Sequence, residues 1–152
     1  MIDYLTFYTK IKEGFEKRML LQLKKPREIR QYQVVAKESH IYFDRNIHFE
    51  WMFETPSTNS FFSVGIHFEY LKKEKNEKIF TQIMKLKNDL EKSTGEKIIG
   101  ETGWGMFRRR ARIYIKKDFK NIDDESVQWG IEKMIIFVDI IKKDIIENLI
   151  SA

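Results

Sequence analysis

The sequence predicts an α+β fold, an antiparallel sheet of about five or six strands packed by three helices in the order α-β-β-β-β-α-β-β-α. Three observations carry this expectation. Residues 47–54 and 62–70 alternate apolar with polar side chains on either side of a polar loop, the pattern of a hairpin with one buried face. Residues 106–120 alternate in the same way and form the most basic segment of the chain. Three further stretches repeat apolar residues at threes and fours, the spacing of amphipathic helices.

In chain order, residues 4–23 place Tyr4, Tyr8, Ile11, Phe15, Met19 and Leu23 opposite Lys10, Glu13, Lys17 and Lys24, so a helix is expected until Pro26 stops it. The cluster Lys24, Lys25, Arg27 and Arg30 then reads as cations at a helix C-terminus. Residues 31–37, rich in Tyr and Val, read as a first strand, Glu38-Ser39 as a turn, and Ile41, Tyr42 and Phe43 as part of a second strand. Asp44-Arg45-Asn46 reads as a tight turn or a bulge.

If the hairpin closes symmetrically about the loop 55–60, Phe53 faces Phe62, Trp51 faces Val64, Phe49 faces Ile66 and Ile47 faces Phe68. A slip by one residue would set Phe and Trp against His and Glu, so the parity selects this register. A helix over 76–92 is expected to bury Ile79, Ile83, Leu86 and Leu90, with Phe80 and Met84 widening the stripe and Gly95 as its cap. A strand at 97–101 and a turn at Gly103-Trp104-Gly105 lead into the basic strand. Asn121-Ile122-Asp123-Asp124-Glu125 supplies an N-cap and first-turn carboxylates for a last helix running to about Leu149. That helix is apolar over more than one face. It is expected either to be buried on two sides or to offer a homodimer surface, with the dimer preferred.

Composition sets the bounds. A chain of 152 residues, 42% hydrophobic and without internal repeat or linker, is expected to be a single α+β domain over 1–152. It has no Cys, which excludes disulfides, thiolate metal sites and thiol catalysis and fits a reducing compartment. The N-terminus lacks the pattern of a signal peptide, and the most apolar run, 134–141, is short and broken by Asp139. A cytoplasmic protein with no membrane partner is expected. A net charge of +5 and a pI near 9.3 favour polyanionic partners, DNA or RNA.

In the basic strand, Arg108, Arg110, Arg112, Tyr114 and Lys116 share one face, while Phe107, Arg109, Ala111, Ile113 and Ile115 share the other. Guanidinium groups repeating along a strand suit successive phosphates, and Tyr114 with Trp104 at the turn suits base stacking. The competing reading is cross-strand pairing of these arginines with Glu50, Glu54, Glu69 or Glu101. The hairpin register also sets His48 opposite His67, with Glu50 diagonal and Glu69 just beyond, an inventory that suits zinc or manganese, although a solvated polar face in which each His bonds to a neighbouring Glu is the favoured reading. His40 reads as isolated. No Asp…Glu-x-Lys nuclease pattern, phosphate-binding Gly loop, Gly-x-Ser-x-Gly elbow or His-Glu-x-x-His motif is present.

Several of these pieces together carry a resemblance. Ser63-Val64-Gly65-Ile66-His67-Phe68-Glu69-Tyr70 precedes the charged helix entry Lys-Glu-Lys-Asn-Glu-Lys-Ile-Phe, then follow Arg110-Ala111-Arg112-Ile113-Tyr114-Ile115 and Asn121-Ile122-Asp123-Asp124-Glu125 before a Trp-containing helix. From residue 47 onward the chain resembles an uncharacterised domain family that stands alone or forms the C-terminal part of restriction-endonuclease-like proteins. The resemblance carries over no catalytic residues, and no cofactor is expected. It implies an accessory or nucleic-acid-associated module.

The expectation is therefore a non-enzymatic nucleic-acid-associated or defence-system accessory module, with Trp104, Arg108, Arg110, Arg112, Tyr114 and Lys116 as contact surface. The alternatives are a metal-dependent nuclease or hydrolase using His48, Glu50, His67 and Glu69, and a protein-interaction module dimerising through the last helix.

Overall fold

The computed structural model describes residues 4–20, 31–35, 38–42, 46–54, 61–118 and 123–148. Helix α1 (Tyr4–Leu20) precedes strands β1 (Gln31–Val35), β2 (Glu38–Tyr42), β3 (Ile47–Glu54) and β4 (Phe61–Phe68). Helices α2 (Lys73–Met84) and α3 (Lys87–Thr94), strands β5 (Ile99–Trp104) and β6 (Arg110–Asp118), and helix α4 (Asp124–Asn148) complete the order. The fold is α+β. One antiparallel sheet runs β1-β2-β3-β4-β6-β5, with β1 and β2 extending its β3 edge.

The β3–β4 register is the one that the alternation selects: Phe53 faces Phe62, Trp51 faces Val64, Phe49 faces Ile66 and Ile47 faces Phe68. These side chains, with Ala111, Ile113 and Ile115 of β6, form the apolar face and are buried. Helix α1 lays Phe7, Tyr8, Ile11 and Phe15 on it, with Phe7 against Phe53 and Phe62 and Phe15 edge-on to Trp51. Helix α4 follows at Gly130, whose carbonyl accepts the Trp51 indole N–H at 2.9 Å. A Cβ on Gly130 would stand 2.9 Å from the Phe62 ring, so only glycine lets the helix approach this closely.

Four helices stand where three were expected. The helix expected over 76–92 begins earlier, at Lys73, and is broken at Lys85 and Leu86. There Leu86 N–H bonds to the Ile83 carbonyl at 2.9 Å, a tighter i to i+3 bond at the break, while Ile83 and Leu90 both stay buried. Gly95 caps α3 in the left-handed conformation, as expected. The last helix starts one residue after Asp123, whose carboxylate accepts the Ser126 N–H at 2.9 Å; these hydrogen bonds hold its pKa below the ordinary carboxylate range. Its broad apolar surface is used inside the domain from Val127 to Ile141, against α1, α3, β3 and β4.

The strand boundaries also shift. Glu38 and Ser39 lie inside β2 rather than in a turn. Trp104 ends β5 rather than occupying the turn, and the register slips between Glu101 and Trp104, where Gly103 takes a positive φ. The basic strand begins at Arg110, because Met106–Arg108 forms a single 3-10 turn with Phe107 and Arg108 at φ 56° and 52°. The Pro26 stop and its basic cluster, the loop 55–60 and residues 119–122 lie outside the described residues.

Candidate functional site

Alternation that buries one face of the sheet sends every second residue to the other. That face was expected to be solvated, yet His48 is 2% exposed, Glu50 4%, His67 2% and Arg112 5%. Two rows cross it. His48, His67, Arg112 and Glu101 stand side by side on β3, β4, β6 and β5, and Glu50, Gly65 and Tyr114 form the next row. Gly65 is the gap in the second row. A Cβ there would lie 2.5 Å from the Ile113 carbonyl oxygen and 2.5 Å from Tyr114 Cβ, so the glycine makes room for the side chains on either side.

Within the first group, His67 Nδ1 lies 2.8 Å from Glu50 Oε2, and His48 Nε2 lies 3.7 Å from the same oxygen. The other nitrogen of His48, Nδ1, stands 3.9 Å from Glu69 Oε2. Arg110 closes this end with a 3.0 Å ion pair to Glu69. The two imidazoles stack at 5.3 Å, and Trp104 meets His67 edge-on at 5.1 Å.

The second group is built on Arg112. Its Nε donates to Glu101 Oε2 at 2.9 Å, its Nη1 pairs with Glu54, and its guanidinium lies over the Trp104 and Tyr114 rings at 4.1 and 4.3 Å. Glu54 is at the opposite end of β3 from His48, which shares the row of Arg112. The Arg112–Glu54 pair therefore runs diagonally across the sheet. Tyr114 donates its hydroxyl to Glu101 at 2.7 Å. Burial pushes the Glu101 carboxyl up, but the bonds from Tyr114 and Arg112 and the guanidinium charge outweigh it and hold the group below its ordinary range. Burial, reinforced by the bond to Glu101, pushes the Tyr114 phenol well above its ordinary value.

The six residues expected to contact nucleic acid thus divide. Arg112 and Tyr114 are buried, Arg112 paired with Glu54 and Glu101 across the strands and Tyr114 bonded to Glu101, and Arg110 is shared with Glu69. Trp104 is half-buried between His67 and Arg112. Arg108 is off the strand and exposed, and Lys116 is exposed with its ammonium 4.7 Å from the Phe61 ring centre. The exposed pair Met106 and Phe107 was missed by treating 106–120 as one strand; Gly105 at φ 71° marks where the strand reading fails. His40, read as isolated, is in register with Glu50.

A cavity of about 530 Å³ beside the β3–β4 end is lined by Asn46, Tyr70, Leu71, Lys72 and Lys75 and contains none of the residues of either group. Among the described residues no helix is long and apolar enough to cross a membrane.

The chain is thus an α+β domain with helices on one face of an antiparallel sheet and a buried His/Glu/Arg network on the other. It belongs to a family described as a domain of unknown function (DUF4268), whose model matches residues 4–145, so the match includes the first helix and the first two strands as well as the part from residue 47. No curated protein and no solved structure matches it.

Proposed function

We propose that this chain is a non-enzymatic nucleic-acid-associated module, an accessory to a restriction or other defence system, whose contact surface is centred on the tip between β5 and β6. The observation that carries the reading is the state of that tip. Met106 is 55% exposed and Phe107 81%, and they are followed directly by Arg108, Arg109 and Arg110. Two consecutive non-glycine residues at positive φ cost about 1–3 kcal/mol each, a conformation held only where the surroundings impose it.

The surroundings are identifiable. The Asn76 amide donates to the Arg109 carbonyl at 2.7 Å while also bonding both the N–H and the carbonyl of Tyr70. A solvent-facing aromatic beside guanidinium groups suits a partner that offers both flat apolar rings and anionic groups, as single-stranded or distorted nucleic acid does. Lys116 extends the cationic surface along β6. Arg112, Tyr114 and Trp104 serve this reading as the frame that holds the hairpin, and Arg110 contributes only where a phosphate competes with Glu69. The net charge of +5 agrees in sign with such a partner.

Fluorescence anisotropy with labelled single-stranded DNA, single-stranded RNA and duplex DNA over a salt series tests the proposal. Affinity is expected to fall with salt, with a slope reduced by about 0.7–0.9 in Arg108→Ala. Phe107→Ala is expected to weaken single-strand binding by about tenfold. No binding to any of the three at low salt would overturn the reading.

A further inference from the structure

We infer that His48, Glu50 and His67 form a binding site for one divalent first-row transition-metal ion of the zinc type. The three residues each offer a ligand atom, all within 4.8 Å of one another, and all three are buried. In a tetrahedral zinc site the ligand atoms stand about 3.3 Å apart, given metal–ligand bonds of about 2.0–2.1 Å. The separations of 2.8 and 3.7 Å from Glu50 Oε2 to the two imidazoles bracket that value, so small side-chain rotations suffice.

The orientation of His48 supports the assignment. Its Nε2 faces Glu50 while its Nδ1 lies toward the Glu69 carboxylate at 3.9 Å, which on closer approach would serve as the outer carboxylate that orients a metal-binding imidazole. Glu69 is itself steadied by Arg110. Charge points the same way. The group at the site holds the carboxylates of Glu50 and Glu69 against the guanidinium of Arg110, one negative charge in excess when the imidazoles are neutral, and the adjoining group of Arg112 with Glu54 and Glu101 adds a second. A dication balances that excess.

The chain has 3 histidines, and the sheet gathers all of them: His48 opposite His67 on β3 and β4, and His40 on β2 in register with Glu50. Three protein ligands leave a fourth coordination position for water or a further group.

The test titrates the metal-stripped full chain with Zn²⁺, reading heat and the long-range ¹H–¹⁵N signals of the imidazoles. One equivalent is expected to bind and to shift the His48 and His67 signals. His67→Ala and Glu50→Gln are expected to weaken binding by more than about tenfold, and Glu69→Gln by about tenfold. The unsubstituted protein keeps the test decisive where a variant fails to fold: if zinc leaves the His48 and His67 signals unmoved, the site does not exist. Folded variants that bind as tightly as the original would also overturn it.

Discussion

Replacing Arg112 with Met separates a structural arginine from a contact arginine on the same basic segment. The side chain keeps its length and apolar stem but loses the charge, the 2.9 Å bond to Glu101, the pairing with Glu54 and the stacking on Trp104 and Tyr114. Breaking a fully buried ion pair by removing one partner costs about 3–5 kcal/mol. Here the arginine side chain is 6% exposed, but Glu54 is 19% and Glu101 34% exposed, so water reaches the stranded carboxylates. A loss of about 2–3 kcal/mol follows, which for a chain of this length lowers Tm by about 5–10 °C. Differential scanning calorimetry at neutral pH measures it. Arg108→Met, at an exposed position, is expected to change stability by about 0.5 kcal/mol or less. Adding Glu101→Gln to Arg112→Met is expected to recover part of the loss, since it removes one of the two uncompensated charges. An Arg112→Met protein with the Tm of the original would refute the view that this arginine is internal.

Two further outcomes complement that series and the binding and metal titrations above. Gly65→Ala is expected to destabilise by about 1–3 kcal/mol, because its Cβ would meet the backbone of β6, which cannot turn aside as a side-chain tip can; thermal unfolding reads this directly. Tyr114 is expected to stay protonated when the other tyrosines ionise near pH 10, visible as a missing step in the ultraviolet phenolate titration. Because its folded pKa is raised, its contribution to stability is fully present below that free value and is lost as the pH climbs toward the folded one. Tyr114→Phe should remove this dependence and cost about 1–2 kcal/mol.

Alternation and helical spacing were enough to place most elements, because each reports local geometry: a period of two for Ile47–Glu54 and Phe61–Phe68, and threes and fours for α1 and α4. Register was legible as well, since parity left one pairing in which apolar residues meet across β3 and β4. That pairing carried the His48–His67 opposition with it. The break at Lys85 and Leu86 was not legible, for the apolar stripe runs through it without interruption. Nor was the tip, where alternating residues at 106–109 mimic a strand that the turn overrides.

What the sequence by itself determined is the α+β class, the paired strands and the identity of the residues sharing the polar face, because periodicity dictates which side chains stand together. Only the tertiary structure decided what those side chains do. The folded sheet brings Glu54 and Glu101 to Arg112 and buries a face that alternation alone marks as polar, turning a stripe of arginines into one internal arginine held by two carboxylates, one shared contact and an exposed tip. Burial and charge pairing depend on how residues distant in sequence are packed together, and no local pattern encodes that.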